Sequence, residues 1–176
     1  HPAIFQRLLV TNADQRAASQ YIRTFRDPAS DAIIEDHGIA GLLAHAFAGR
    51  VPSGGMAEPE EIARFLKDWE DRDTCRAMIN SYRASPATVP AMDDPYDAPP
   101  AVPFPKLNIP TLVIWALDDV ALPPCNLDGI DELVPDVTIV KVPGCGHFVP
   151  WEQPAPVIAA LRPFLESRLA ARATGS

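Results

Sequence analysis

The sequence predicts an α/β fold in which a long helical region is followed by two parallel strands with their helices. Residues 12–84 carry apolar side chains at helical spacing with few interruptions. Two short apolar runs, at 112–117 and 137–142, are typical of buried strands. Because about 20 residues join these runs, the connection is long enough for a right-handed crossover between parallel strands.

Start and stop signals divide the helical region into separate helices. Asn12 and Gln15 occupy the capping-box positions of the first helix. Asp27 followed by Pro28 is a cap with a first-turn proline, and it starts the second helix. Asp73 is the expected N-cap of the last helix in this region. Helices are therefore predicted over 12–26, 29–35 and 38–48, from residue 59 onward, and from residue 73 to about residue 84.

A proline-rich segment joins the helical region to the first strand. It contains eight prolines in the 25 residues from Pro86 to Pro110, which predicts an extended, stiff connector. A disordered linker is the alternative interpretation. We favour an ordered crossing because Phe104, Leu107 and Ile109 are spaced through the segment and can anchor it.

The strand-bearing end of the chain contains too little sheet to be complete. A helix is predicted over 128–134, and the last helix is predicted from Pro154 to about Ala170 with a kink at Pro163. Nearly continuous apolar strands suit a sheet covered on both faces, whereas a two-stranded parallel sheet is marginally stable and has two exposed edges. We therefore expect the chain to be a fragment, or another chain to supply the remaining strands.

Composition excludes several classes of protein. A chain of 176 residues with 47% hydrophobic residues is long enough for one globular domain, and its net charge of −8 argues against nucleic-acid binding. No run approaches the roughly 18 apolar residues of a membrane span, and no signal peptide is recognisable. Three cysteines without metal spacing predict neither a metal site nor a disulfide framework. We expect a cytoplasmic protein without cofactor, metal, nucleic-acid partner or membrane association.

Ionisable side chains follow both predicted strands. Asp118 and Asp119 come directly after the first strand, and His147 follows the second at a bend made by Gly144 and Gly146. Because parallel strands end at the same edge of a sheet, these groups are expected to meet there. The alternative is that His147 is an ordinary loop residue. The glycines, the preceding carboxylate and the helix that opens just afterwards favour a carboxylate that orients a catalytic histidine.

Such a histidine needs a nucleophile or a bound water. None of the seven serines lies in a G-x-S-x-G turn after an apolar strand. Cys145 is two residues from His147, and side chains at that spacing usually point apart. The chain therefore has a predicted base without its nucleophile.

Two segments carry a family resemblance. Residues 109–119 (IPTLVIWALDD) resemble the strand that leads to the triad acid in α/β-hydrolase fold enzymes of the epoxide hydrolase and haloalkane dehalogenase branch. Residues 144–154 (GCGHFVPWEQP) resemble the segment around that family's catalytic histidine. Asp119 lies 28 positions before His147, which fits the family order of nucleophile, acid and histidine. Ala116 stands where the family usually has glycine.

The resemblance extends to the helical region, which corresponds to the family's lid. Residues 19–25 resemble the first lid helix of epoxide hydrolases and residues 79–83 resemble a later one. Tyr21 and Tyr82 fall where that family keeps its epoxide-binding tyrosines; taken singly, each is also interpretable as a core aromatic residue. Contacts with a small apolar substrate are predicted for Phe25, Phe148 and Trp151.

The implied fold is an incomplete α/β-hydrolase fold, with a helical lid followed by the last two parallel strands and their helices. It implies an amino-terminal half of the same enzyme as the partner that carries the nucleophile. The resemblance divides the chain into four parts. These are a connection out of the core at 1–11, the lid at 12–85, a proline-rich return segment at 86–108 and the carboxyl-terminal part of the core at 109–176.

The implied reaction is epoxide hydrolysis through an ester. A nucleophile outside this chain opens the epoxide, Tyr21 and Tyr82 hydrogen-bond its oxygen, and His147, oriented by Asp119, activates the water that hydrolyses the ester. Esterase or dehalogenase activity of the same fold, or a non-catalytic ligand-binding relative, are the alternatives. A dehalogenase needs nitrogen donors for halide, and in the predicted lid Trp69 is the one tryptophan.

Overall fold

We analysed a computed structural model of the chain, which describes residues 1–46, 59–85, 88–96 and 104–174. Six helices come first and two strands follow, with further helices between and after the strands. The helices are α1 Pro2–Thr11, α2 Ala13–Ala18, α3 Gln20–Arg26, α4 Ala29–Ala46, α5 Pro59–Asp68, α6 Arg72–Ala84, α7 Ile130–Leu133, α8 Val149–Glu152 and α9 Pro154–Thr174. The strands are β1 Thr111–Ala116 and β2 Val137–Val142, and a 3-10 turn spans Pro124–Leu127.

Helix α1 was not predicted. His1 caps it, because its Nδ1 accepts a hydrogen bond of 3.2 Å from the Ala3 amide, and Pro2 occupies the first turn, where the missing N–H costs nothing. The buried face of α1 packs against the connection between the two strands through Ile4, Leu8, Ile130 and Val134.

The first predicted helix forms as two. Asn12 is its N-cap as predicted, with Oδ1 accepting a 2.9 Å hydrogen bond from the Gln15 amide. Helices α2 and α3 meet at Ser19. The side chain of Gln15 does not complete a capping box but turns inward and donates to the Ser19 hydroxyl at 2.8 Å. The break therefore coincides with a buried polar contact.

Gly38 separates the two helical segments predicted over 29–35 and 38–48. It lies inside α4 with φ 67° and ψ −173°, a left-handed region that favours glycine. A Cβ at Gly38 would also meet the Arg72 guanidinium at 2.6 Å. Only residues up to 46 of the second segment are described.

The N-cap of α6 is Asp71, so the prediction of Asp73 was wrong. The carboxylate of Asp71 accepts hydrogen bonds from the amides of Asp73 at 3.1 Å and Thr74 at 3.3 Å. Asp73 lies in the first turn instead and forms an ion pair with Arg76 at 3.0 Å. The predicted end of this helix at Ala84 is confirmed.

Helices α3, α4 and α6 enclose a core of their own. Its side chains are between 0 and 4% exposed, which makes the helical region a closed hydrophobic unit. The residues are Phe25, Ile34, Ile39, Leu42, Cys75 and Ile79.

The two strands pair in parallel, as predicted. Thr111 is opposite Val137 and Ala116 is opposite Val142, so both strands end at the same edge. The predicted helix at 128–134 forms as the short α7 at Ile130–Leu133, and the 3-10 turn at Pro124–Leu127 precedes it.

The sheet and α9 leave apolar surface uncovered. In β1 only Ala116 is fully buried, and the exposed apolar residues of β2 and α9 are Ile139, Ile158, Leu161, Leu165 and Leu169. Helix α9 continues through Pro163 to Thr174. Within the described residues nothing covers this surface, so the burial on both faces that the strand pattern predicts is not met here.

The return segment follows an ordered path where it is described. Residues 88–96 and 104–110 form neither helix nor strand. Of the three predicted anchors, Phe104 is partly buried and packs edge-to-face on the His1 ring at 6.0 Å, whereas the side chains of Leu107 and Ile109 are exposed. Val89 is a buried anchor that was not predicted. Arg23 donates to the Val89 carbonyl at 3.0 Å, and the Leu107 amide donates to the Leu133 carbonyl at 2.9 Å.

Candidate active site

Asp119 is fixed by the turn that follows β1. Its Oδ1 accepts hydrogen bonds from the amides of Ala121 at 2.8 Å and Leu122 at 2.9 Å. Only 8% of its side chain is exposed. The neighbouring Asp118 is exposed to solvent.

His147 reaches Asp119 from the loop after β2. Gly144, with φ 62°, provides the left-handed turn of that loop. The His147 Nδ1 lies 3.0 Å from Oδ1 and 2.9 Å from Oδ2 of Asp119, so the predicted contact at the carboxyl edge of the sheet is present. With Nδ1 engaged by the carboxylate, Nε2 is the ring nitrogen for proton transfer.

The two groups shift each other's pKa in opposite directions. Burial alone would raise the pKa of Asp119, but the hydrogen bonds from His147 and from the Leu122 and Ala121 amides lower it below its ordinary value. The hydrogen bond to Asp119 raises the pKa of His147 against the effect of burial, and the charges of Asp119 and Glu152 add to the rise. The pair therefore favours an ionised carboxylate beside a basic imidazole.

Cys145 is a packing residue in this site. It is 1% exposed and lies in a cluster with Ala116, Val142 and Val149. Burial raises the pKa of its thiol, and the charge of Glu152 raises it further. A buried thiol with a raised pKa is a poor nucleophile, which agrees with the sequence analysis.

Tyr21 on α3 and Tyr82 on α6 form a second pair. Their ring centroids are 5.9 Å apart in an edge-to-face arrangement, and their side chains share a hydrogen bond. Burial raises the pKa of Tyr21 above its ordinary range, and the neighbouring Tyr82 hydroxyl and the charge of Asp119 act in the same direction. The two hydroxyls are therefore brought together by α3 and α6, with the Phe25 ring packed beside both.

The three residues predicted to contact substrate lie in different surroundings. Phe25 is a core residue whose ring packs on Tyr21 at 5.3 Å and on Tyr82 at 5.0 Å. Phe148 and Trp151 are about half exposed, and the Phe148 ring is 5.3 Å from that of His147. Phe25 therefore supports the tyrosines, whereas Phe148 offers apolar surface beside His147 and Trp151 is a further exposed aromatic side chain on α8.

Sequence analysis missed a buried polar cluster of Gln15, Ser19 and Asn126. The Gln15 amide nitrogen donates to the Ser19 hydroxyl and, at 3.1 Å, to the Ala121 carbonyl. The Asn126 amide donates to Gln15 Oε1 and, at 3.0 Å, to the Pro123 carbonyl. Since the Ala121 amide holds Asp119, this cluster attaches the helical region to the turn of the acid.

Arg16 is a second residue that the sequence did not reveal. It is fully buried, and its guanidinium donates to main-chain carbonyls and lies 3.9 Å over the Tyr96 ring. The carbonyls belong to Leu9 at 3.0 Å, Val10 at 3.5 Å, Ala91 at 3.5 Å and Asp94 at 2.7 Å. No sequence pattern distinguishes Arg16 from an exposed arginine on a helix.

Among the described residues no group of three or more histidine, cysteine, aspartate or glutamate side chains could hold a metal ion. In the same part of the chain no helix is both long and apolar enough to cross a membrane.

Comparison with known proteins decides the family. Residues 8–160 match the sequence model of the Alpha/beta hydrolase family. The chain belongs to this family. The predicted α/β-hydrolase fold is confirmed by an epoxide hydrolase structure from metagenomes of hot environments, which is 55% identical with a TM-score of 0.87 and matches 94% of this chain.

More distant relatives agree with this assignment. An epoxide hydrolase from Bacillus megaterium, solved as a point mutant, is 25% identical with a TM-score of 0.71 over 93% of this chain. N-formylmaleamate deformylase from Pseudomonas putida is 27% identical over 147 residues, 78% of this chain. The α/β-hydrolase chain described here spans about half the length of these relatives, between 54% and 56%.

Proposed function

We propose that this α/β-hydrolase chain is the lid and carboxyl-terminal core of an epoxide hydrolase. The observation that carries the proposal is the tyrosine pair, whose ring centroids lie 5.9 Å apart, in a chain that also holds His147 Nδ1 2.9 Å from Asp119. In this proposal residues 12–85 form the lid, 86–108 return to the core and 109–176 supply the acid and the base.

In the first step a carboxylate outside this chain attacks a carbon of the epoxide ring. The carbon–oxygen bond breaks, an ester forms, and the negative charge that develops on the oxygen receives hydrogen bonds from Tyr21 and Tyr82. The raised pKa of Tyr21 keeps its hydroxyl protonated, so that it can donate. One tyrosine then supplies the proton that converts the oxygen to a hydroxyl.

In the second step water hydrolyses the ester. His147 takes a proton from the water at Nε2, and the oxygen attacks the ester carbonyl, which releases the diol and regenerates the carboxylate nucleophile. The proton held by His147 then returns through solvent to the tyrosinate left by the first step, so both groups are restored. Asp119 keeps Nδ1 in place at 2.9 Å and stabilises the imidazolium that forms. The low pKa of Asp119 keeps this carboxylate charged.

The proposed partner is the amino-terminal half of the same enzyme, which carries the nucleophile. Two features support it: the apolar face of α9 is exposed, and the sheet has only two strands in the described residues. A larger sheet packed on α9 would bury this face. The exposed Phe148 and Trp151 fit a small apolar substrate.

Ester or amide hydrolysis by the same fold is the second candidate. The relative named as a deformylase favours it, because an Asp119–His147 pair also serves a serine nucleophile. The tyrosine pair argues for the epoxide, since two phenol hydroxyls suit an epoxide oxygen. Trp69 packs against the core of the helical region, which gives dehalogenation less support. A non-catalytic relative would bind ligand without turnover.

The test uses the full-length enzyme with Tyr21→Phe and Tyr82→Phe combined. We expect epoxide turnover to fall by about 10²- to 10³-fold, because the oxygen loses its donors in the transition state. The third tyrosine, Tyr96, is exposed, and Tyr96→Phe is the matched control. Rapid quenching and mass spectrometry would detect the ester on the nucleophile. Unchanged epoxide turnover in the double variant would refute the assignment.

A further inference from the structure

The carboxylate of Glu152 holds the backbone on both sides of His147. Its Oε2 accepts a 2.6 Å hydrogen bond from the Gly146 amide, and its Oε1 accepts a 2.9 Å hydrogen bond from the Phe148 amide. A Cβ at Gly146 would lie 3.1 Å from Oε1, so the loop approaches the carboxylate closely. Both oxygens of one side chain therefore serve the two peptide groups that flank the base.

The same residue is fixed by the loop that it holds. Glu152 ends α8, and its amide donates to the Phe148 carbonyl at 2.9 Å, next to the 2.8 Å bond from the Trp151 amide. Phe148 and Glu152 therefore hold each other through two hydrogen bonds in opposite directions. This closed arrangement limits backbone rotation on either side of His147, and so fixes where its ring emerges.

We propose that Glu152 is a positioning residue that keeps His147 on Asp119 for proton transfer. This inference rests on the proposed function, because it assigns the clamp to the step in which His147 acts as base. The side chain of Glu152 does not contact the reacting atoms in this proposal. It acts through the two amides next to the base.

The two-step reaction separates positioning from a general structural role. Formation of the ester does not use His147, whereas its hydrolysis does. In Glu152→Gln one acceptor oxygen becomes an NH₂ donor that faces an amide N–H. We expect hydrolysis of the ester to slow by about 10²-fold, since a small displacement of a catalytic group has effects of that size. Formation of the ester should keep its rate, so the ester should accumulate.

A pH profile gives a second reading. The charged groups that face His147 are Asp119 from the turn after β1 and Glu152 from α8, and both raise its pKa. Removing the charge of Glu152 lowers the pKa of His147, so the base is neutral at lower pH. The acidic limb of ester hydrolysis should move to lower pH in Glu152→Gln. Glu166→Gln, at an exposed position of α9, changes the net charge by the same amount and should leave the acidic limb of ester hydrolysis unchanged.

The experiment measures single-turnover ester formation and hydrolysis in the full-length enzyme, with thermal unfolding of each variant. If Glu152→Gln unfolds early, Glu152→Asp replaces it, because it keeps the charge and both acceptors on a shorter side chain. In that variant ester hydrolysis should be slow, but the acidic limb of its pH profile should stay at the wild-type pH. His147→Gln separates the two hypotheses. Normal ester hydrolysis in His147→Gln would overturn the proposed function, whereas a loss there with wild-type hydrolysis in the Glu152 variants would overturn only the positioning role.

Discussion

The helical region and the strand-bearing region bury their apolar side chains to very different degrees. In the helical region Ile34 and Leu42 are 0% exposed. In α9, Leu165 is 50% exposed and Leu169 is 66% exposed. Both regions have the apolar periodicity of elements that pack on a core. The difference is that α3, α4 and α6 pack on one another, whereas in the described part of the chain α9 has only a two-stranded sheet to cover.

This contrast separates stability from chemistry. The closed core lies in the helical region and packs against Tyr21 and Tyr82, while Asp119 and His147 lie at the edge of a sheet that is only partly covered. A helical core can form from its own contacts, but a parallel sheet of two strands is marginal. The Asp119–His147 contact therefore depends on the strand-bearing region, which is the less stable of the two regions by itself.

The 176-residue chain, expressed alone, should have no hydrolase activity. It should also show unequal protection in hydrogen exchange, with slow amides in α3, α4 and α6 and fast amides in β1 and β2, because uncovered strands open readily. Mass spectrometry of exchanged peptides would measure both regions in one sample. A cooperative, monomeric and active protein would show that the inference from the small sheet was wrong.

Asp119→Asn in the full-length enzyme should slow ester hydrolysis by about 10²- to 10⁴-fold, the range for loss of general base catalysis. An amide neither holds the imidazole in the same tautomer nor stabilises its charged form. The matched control is Asp118→Asn, since Asp118 is adjacent and exposed. Urea unfolding of the helical region should be the same in both variants. Equal loss of activity in the two variants would remove the distinction between these aspartates.

Two leucine substitutions compare the cores directly in the isolated chain. Leu42→Ala should lower the free energy of unfolding by about 2–5 kcal/mol, because it leaves a cavity in a closed core. Leu165→Ala should change it by less than about 0.5 kcal/mol, since the side chain is half exposed there. Urea titration followed by circular dichroism would measure both. In the full-length enzyme we expect Leu165→Ala to lower the free energy of unfolding as well, because the missing strands would bury this side chain. Equal losses for the two variants in the isolated chain would show that the two regions do not differ in packing.

The sequence predicted the features that have a local cause. Apolar runs gave both strands, and ionisable residues at their ends gave the contact between Asp119 and His147. The break in α4 followed from Gly38, which is the residue that a left-handed conformation requires. These signals need no knowledge of the rest of the fold.

Features that depend on distant partners were missed. Helix α1 buries Ile4 against Ile130, which is far away in the sequence, so its surroundings decide that it forms. Asn12 was correctly interpreted as a cap, but the side chain of Gln15, predicted to complete the capping box, bonds Ala121 across the fold. The N-cap of α6 was misplaced because Asp71 and Asp73 are both good caps, and only the path of the chain selects between them.

The contacts of Arg16 constrain how the amino-acid sequence of the return segment can change during evolution. Its bonds there go to the carbonyls of Ala91 and Asp94, and every residue carries a carbonyl. Substitution of most side chains in this stretch leaves such an attachment intact, the exceptions being the buried Val89 and Tyr96, whose ring lies under the Arg16 guanidinium. An insertion or deletion shifts the carbonyls away from the guanidinium. Among descendants of this sequence, the stretch should therefore drift in residue identity while it keeps its length.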